Sequence, residues 1–569
     1  MDFTATDEQR DVIEAPLGAL CVTACPGSGK TATAVRRLAH VRQLLGKSRG
    51  RVLLLSYSNT AVETFYKQYQ QLVCATSDLS DHIAIETVDS FLTKYILRPH
   101  AGRVMGCTRQ PFLVQGSEPF LNNYRVWDGQ RPREVRYLSI GIDGYFKFEL
   151  RKKSFVTPVD AATAEAAILK LGKVGAYTHE IGRYWALQTV LAEERLLSAL
   201  SRRFPEIIVD EAQDIGSLHA VFLTGLAEAG SSLSLVGDPH QAIYEFAGAD
   251  GAYLRDFAQA NSVRPLPLSQ NRRSLQCIVD VANRLAGTRM HPSRQAASAG
   301  SGAYYIKYDP KDLPGAAEIF DSILAASKLD REAAAILCRG RPYVSALNGA
   351  SGDSGTGGTA AFCDAAVCRD ARGDIGHAFE YATSGVLKLL GKCRNSLGNE
   401  IHAGSTAEGI LLRRLIWAYL RDRERGLPSA ELRALSQWHP RLKKSVQALL
   451  SRIEAETDLM RSDTWTSNVT KKNLLDEPIC RASLMGPRSL KVRATTVHQA
   501  KGESIRAVLY LAQPKDLRAL LEGPIHEEGR VGYVAITRAE DLIVLGIPTS
   551  TVGSTVKAVE AKGFSPWTG

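Results

Sequence analysis

The run Ala24-Cys25-Pro26-Gly27-Ser28-Gly29-Lys30-Thr31 follows a short apolar stretch, Leu20 to Ala24, and leads into a helical pattern. Strand, tight glycine loop and helix start must therefore meet at one corner, an arrangement that belongs to parallel α/β sheets. At such a corner the backbone N–H groups of Gly27, Ser28 and Gly29, with Ala24 leading in, can approach phosphate oxygens. Lys30 then adds a point charge at the β and γ phosphates, and the Thr31 hydroxyl is placed to ligate Mg²⁺. The pattern predicts an ATP site with Mg²⁺.

Strand-like runs recur along the chain: Leu20 to Ala24, Val52 to Tyr57, Ile207 to Asp210 and Leu233 to Asp238, then Ala334 to Arg339, Val492 to Val497, Val508 to Leu511 and Leu542 to Ile547. Each is short, nearly continuous in apolar residues and compatible with a parallel strand buried on both faces. Between Leu187 and Leu200 the apolar positions trace one face of a helix that feeds the strand ending at Asp210. The chain reads as two α/β units, each interrupted by a mostly helical insertion. The first unit takes 1–92 and 187–275 with its insertion at 93–186; the second takes 276–344 and 486–569 with its insertion at 345–485. Gly349 to Gly358, poor in apolar groups, reads as a flexible link into the second insertion.

Composition narrows the partner. With 70 Lys plus Arg against 60 Asp plus Glu the formal charge is +10, a balance that favours a polyanion without requiring one. No apolar run is long enough to span a membrane, and the N-terminus lacks the basic and apolar segments of a signal peptide, so an intracellular protein without membrane partners is expected. Ten cysteines lie scattered without paired spacing, consistent with reduced thiols. Cys363, Cys368 and Cys393 are too loosely spaced to argue for a metal site.

A second phosphate-directed motif is Ile208-Val209-Asp210-Glu211-Ala212-Gln213-Asp214, a strand ending in adjacent carboxylates. Asp210 would hold Mg²⁺ and Glu211 would polarise the attacking water, the division of labour that phosphoryl transfer needs.

A third motif, Leu235-Val236-Gly237-Asp238-Pro239-His240-Gln241-Ala242-Ile243-Tyr244-Glu245-Phe246-Ala247-Gly248-Ala249, resembles a segment of the UvrD/Rep/PcrA helicases of superfamily 1A. Further segments resemble that family in order: Asp7-Glu8-Gln9, Leu55 to Ala61, Thr87-Val88-Asp89-Ser90-Phe91, Gln270-Asn271-Arg272-Arg273-Ser274, Thr496 to Gly502 and Tyr533 to Ala539. The resemblance covers both α/β units and neither insertion. It implies two RecA-like domains, with Gln9 reading the adenine edge, Gln241 sensing the γ phosphate, and Arg273 and Arg538 reaching it across the cleft. Lys30, Asp210, Glu211, Gln241, Arg273 and Arg538 would thus carry catalysis, and Arg272 and Glu503 join the nucleotide contacts.

For DNA, the resemblance implies contacts at Tyr57, Asn59, Thr87, Tyr244, Phe246, Thr496 and His498. Aromatics among them would stack on bases, worth about 1–3 kcal/mol per base. The basic stretches Arg131-Pro132-Arg133 and Arg151-Lys152-Lys153 could track phosphates, although a solvated charged face is the better reading for any one cluster. The implied activity is an ATP-dependent helicase or translocase moving 3′ to 5′ on single-stranded or tailed duplex DNA.

The chain departs from the family pattern at Ala32 and Arg272, where the family places groups that sandwich adenine, so nucleotide preference is expected to relax. Ala247 stands where an arginine is usual, and Lys501-Gly502-Glu503-Ser504-Ile505 is a variant segment. Only about 30 residues follow Arg538, which leaves no room for a nuclease domain. Any nuclease would be a separate subunit, and an alternative reading is a DNA-sensing regulatory ATPase that activates such a partner in DNA repair or anti-phage defence.

Overall fold

The computed structural model describes residues 4–73, 82–114, 118–152, 155–245, 248–294, 300–347, 358–371, 373–391, 393–394, 397–404, 406–471, 474, 476–479 and 492–568. Phe246, Ala247, Lys153 and most of the expected link at 349–358 lie outside the described residues.

Six parallel strands form the first sheet, in the order Arg264–Leu268, Leu20–Ala24, Ser232–Gly237, Glu206–Val209, Val52–Ser56 and Ile83–Thr87. Alternate residues divide between two cores. Cys21, Leu53, Leu55, Ile207 and Val209 face one; Val22, Val52, Leu54, Ile208 and Val236 face the other. Burial on both faces is why these strands read as unbroken apolar runs. Leu53, Leu54 and Leu55, for example, are wholly buried.

The second sheet is built likewise, in the order Arg493–Thr496, Ala334–Cys338, Ile505–Leu511, Ala539–Pro548, Gly302–Tyr308 and Ser565–Pro566. Its two faces bury separate cores, one through Leu337, Tyr510 and Leu545, the other through Ile336, Leu509 and Val544. All eight expected strand runs coincide with observed strands. Three further strands, Ile83–Thr87 and Arg264–Leu268 at the two edges of the first sheet and Gly302–Tyr308 next to an edge of the second, carry too much Pro, Glu, Thr and Lys to stand out as apolar runs.

The expected helix from Leu187 to Leu200 is two helices, His179–Ala192 and Glu194–Arg203, because Glu193 leaves the helical region at φ −122° and ψ 79°. The first belongs as much to the insertion as to the unit. The first insertion, expected to be mostly helical, mixes helices with antiparallel strands: Leu138–Asp143, Tyr145–Lys152 and Phe155–Val159 form one sheet. Asp143-Gly144 turns the first pair tightly, with Gly144 at φ 72°, the turn chemistry that favours a hairpin over a continuing helix. One core runs without a break from Leu53 in the first sheet to Phe148 and Ile168 in this insertion. The second insertion is helical and has its own core around Trp438, Phe362 and Leu450. Among the described residues no helix is long and apolar enough to cross a membrane.

Candidate nucleotide and nucleic-acid site

The loop after Leu20–Ala24 has the backbone that the glycines predict. Gly27 and Gly29 lie at φ 71° and 80°, the left-handed region in which a side chain is strained. Space is short as well: a Cβ on Gly27 would stand 2.6 Å from Arg273 Cβ, and one on Gly29 would stand 2.9 Å from Gln9 Nε2. Ala24 is fully buried in the core behind the loop, so the loop itself begins at Cys25, whose N–H donates to the Leu268 carbonyl at 2.9 Å. Lys30 and Thr31 begin the helix Lys30–Leu44.

The helix Asp7–Glu14 places Gln9 against this loop through a capping box with Thr6. Gln9 is buried, and its Nε2 donates to the Ser28 carbonyl at 2.9 Å. Arg272 donates from one guanidinium nitrogen to Gln9 Oε1 at 3.2 Å and to the Thr4 carbonyl at 2.9 Å.

Asp210 and Glu211 stand at the end of Glu206–Val209, facing the loop. Glu211 adopts φ 52°, one of only two non-glycine residues with positive φ among the described residues, a strained conformation of the kind that clusters at functional sites. Gln213, buried, donates to the Glu211 carboxylate and accepts from the Asp238 N–H at 3.0 Å. Burial, and then the neighbouring Glu211 charge, push the Asp210 carboxyl up to about 7 against the pull of Lys30. Burial would raise Glu211 too, but Lys30, Lys501, Gln213 and Arg538 together bring it below its ordinary value. Asp210 Oδ1 and Ser28 Oγ are buried without a hydrogen-bond partner. Orphaned oxygens at the carboxylate and at the loop, with Thr31 beside them, suit a magnesium-bound phosphate chain.

Cations reach this corner from the second unit through Arg538 and from the arm Gln270–Leu275 through Arg273. Arg538 donates to Gln241 Oε1 at 2.9 Å while Gln241 Nε2 donates to Asp238 at 2.9 Å. Burial, and then the nearby Arg273, lower the Arg538 guanidinium to about 9, opposed by Glu211 and Asp238. Arg273 donates to the Thr537 carbonyl at 3.1 Å. Glu503 lines the same cleft, pairs with Arg493, and accepts Arg538 on its backbone carbonyl at 3.2 Å.

A cavity of about 740 Å³ runs between the units. Thr31, Asp210 and Glu211 line it on the phosphate side; Tyr57, Tyr244 and His498 line it further along. Tyr57 meets His219 edge-on with ring centroids 5.8 Å apart, and His498 Nε2 donates to the Ile243 carbonyl at 3.1 Å. Asn59, Thr87 and Thr496 are not part of the lining. Asn59 begins the helix Asn59–Val73, Thr87 caps the helix Val88–Leu92, and Thr496 bonds Gln499. Arg133 and Arg151 are held by Asp128 and Glu149 in local ion pairs. No cluster of three or more His, Cys, Asp and Glu residues that could hold a metal ion occurs among the described residues; Cys363 and Cys368 are buried in the second insertion's core.

Asn271 and Lys501, within the quoted motifs, and Arg530, outside them, matter here yet carried no expected role. Asn271 ties the arm bearing Arg273 to the loop: Nδ2 donates to the Pro26 carbonyl at 2.8 Å, and Oδ1 accepts the Arg273 and Ser274 N–H groups at 2.9 and 2.8 Å. Lys501 reaches Asp214, and Arg530 donates to the Ala242 carbonyl at 2.6 Å. Their partners lie hundreds of residues away, so no local spacing signals them.

The sequence model of the UvrD/REP helicase N-terminal domain matches residues 5–140 and 166–261. The chain is 28% identical over 299 residues to the ATP-dependent DNA helicase PcrA of Staphylococcus aureus (strain Mu50 / ATCC 700699), covering 48% of this chain and 39% of that protein. It is 24% identical over 294 residues to the protein of the same name from Leuconostoc citreum, covering 49% and 38%. It is 26% identical over 375 residues to the ATP-dependent DNA helicase UvrD2 of Mycobacterium bovis, covering 59% and 50%. The chain thus matches half or less of the length of these curated relatives.

Proposed function

From a chain that belongs to the UvrD/Rep/PcrA-like helicases, we propose an ATP-driven motor that moves 3′ to 5′ along single-stranded DNA and unwinds tailed duplexes. The observation that carries this reading is the single cleft in which the phosphate-side residues Thr31, Asp210 and Glu211 share one cavity with the aromatic residues Tyr57 and Tyr244. Hydrolysis at one end and grip on bases at the other can then be coupled by movement of one unit against the other.

In this reading Gly27, Ser28, Gly29 and Lys30 cradle the phosphates, and Thr31 with Asp210 hold Mg²⁺, which supplies charge neutralisation on the phosphate oxygens. Glu211, kept ionised by the surrounding cations, accepts the proton of the attacking water. Gln241 spans Asp238 and Arg538, so it is placed to report the state of the phosphates to the second unit. Arg273 and Arg538 stabilise charge spread over equatorial oxygens only while the units are together.

Steady-state ATP hydrolysis with and without single-stranded DNA tests the proposal, beside Lys30→Ala. DNA stimulation that disappears in the variant, and unwinding of a 3′-tailed but not a 5′-tailed duplex, are expected. ATPase activity indifferent to DNA, or unwinding from a 5′ tail, would overturn it.

A further inference from the structure

Resting on the DNA-motor reading above, we propose that the first insertion carries a second contact surface for single-stranded DNA. It is the open face of the antiparallel sheet, which continues the cleft and takes bases on Tyr145 and phosphates on Lys147 and Arg151.

Charge singles out the insertion. Residues 93–186 hold 15 Lys and Arg against 8 Asp and Glu, so this segment supplies +7 of the chain's formal +10. An excess concentrated in one short segment is the electrostatic footprint of a polyanionic partner.

The sheet gives that charge a surface. Leu138–Asp143, Tyr145–Lys152 and Phe155–Val159 turn Leu138, Ile140, Phe148 and Leu150 into the core. With side chains alternating, the opposite face carries Tyr145, Lys147, Glu149 and Arg151, and the neighbouring strands add Ser139 and Val156. Tyr145 is 71% exposed and Val156 59%, on the side of an antiparallel sheet where polar residues are the rule. Lys147 Nζ lies 5.8 Å from the centroid of the Tyr145 ring, so a group that stacks on bases and a group that pairs with phosphate stand together. Lys147 is paired with Asp143 at 2.7 Å and Arg151 with Glu149 at 2.8 Å, both partly exposed to solvent. Pairs of this kind hold weakly and exchange readily for phosphate oxygens. Sheet faces with aromatic rings and flanking cations suit single strands, whose unpaired bases offer a stacking face that a duplex hides.

This surface joins the cleft. At its foot lies a cavity of about 200 Å³, between Lys147, Glu149 and Arg151 on the sheet and the start of the helix Ser217–Glu228. Arg183, Gly216 and His219 line both this cavity and the cleft of about 740 Å³. A strand passing Arg183 thus meets the cavity, then Lys147, then Tyr145, along roughly 20 Å of sheet. Most of the sheet lies in residues 141–165, between the two stretches that the UvrD/REP model matches. The surface is therefore a feature of this chain rather than of the matched domain.

Equilibrium binding of fluorescent oligothymidylates to the full chain tests the proposal at two lengths, roughly 8 nucleotides to fill the cleft and roughly 20 to reach the sheet. Tyr145→Ala should weaken the longer by roughly fivefold or more and the shorter by less than about twofold, and Tyr145→Phe should restore the longer. Lys147→Ala should reduce the salt dependence of log K for the longer by a slope of roughly 0.7. Equal losses at both lengths, or none, would overturn the proposal. So would a loss seen with a blunt duplex and not with the longer oligonucleotide, which would assign the face to duplex DNA. If wild type binds both lengths and the variants change neither, this inference falls alone; if wild type binds neither, the motor reading falls with it.

Discussion

Lys501, on the second unit, places its Nζ 2.7 and 2.6 Å from the two carboxylate oxygens of Asp214, on the first, with a third bond of 3.0 Å to the Gln241 carbonyl. The lysine and aspartate side chains are 8% and 4% exposed, and the ammonium also lies 4.7 Å from the centroid of the Tyr244 ring. A buried ion pair between two units joins them at the point where the part of the cleft lined by Asp210 and Glu211 passes to the part lined by Tyr57 and Tyr244. Burial pushes Asp214 up to about 6 even so, opposed chiefly by Lys501.

Breaking a buried pair from one side leaves a stranded charge, at a cost of about 3–5 kcal/mol. Lys501→Met and Asp214→Asn are each expected to lower the denaturation midpoint and the DNA stimulation of hydrolysis. The double variant is expected to recover part of the stability lost in Lys501→Met, where the carboxylate is stranded, because it leaves no uncompensated charge. Strictly additive losses in a double-mutant cycle would show that the two groups act separately.

Glu206 supplies a pH-dependent signal away from the cleft. It is 4% exposed at the start of its strand, and burial raises its carboxyl from 4.5 to about 7 against the pull of Ser232 and Arg37. Between those values the folded chain holds a proton that the unfolded chain has released, so stability falls as pH rises through that window and then levels off, by up to about 3 kcal/mol. Chemical denaturation of Glu206→Gln beside wild type should show little difference at pH ~5 and a clear gain for the variant at pH ~8. A difference that does not change with pH would remove Glu206 from this role.

Glu211→Gln keeps the shape of the side chain and removes the proposed proton acceptor. Hydrolysis should fall by roughly 10²–10⁴-fold with nucleotide affinity retained. Single-turnover kinetics beside equilibrium binding separates the two effects, and near-normal turnover would assign the base elsewhere.

Gly27→Ala meets Arg273 Cβ at 2.6 Å and a backbone at φ 71°. Nucleotide binding should be lost while the circular dichroism of the folded chain stays near wild type, because the clash is confined to the loop and the Arg273 arm. Normal affinity in this variant would show that the loop opens freely from that arm.

Fold class, the eight apolar strand runs and the backbone of the glycine loop could be read from the residues alone. Glycine loops, carboxylates after a strand and doubly buried strands all follow from constraints acting within a few neighbouring residues. Leu53 to Leu55 announce their own burial, and Gly27 and Gly29 announce their backbone. Tertiary structure decided what lies across the cleft. Lys501 and Asp214 are 287 residues apart, Arg530 and Ala242 are 288 apart, and no local pattern says that such groups meet. The first insertion shows the same limit in another form, because its strands are stabilised by pairing and by a core shared with the first sheet rather than by strong local apolar runs. Gln9 completes the division. Its bond to Thr6 is a local helix cap, whereas the bond its oxygen accepts from Arg272, 263 residues away, arises only when a distant segment folds against the same helix.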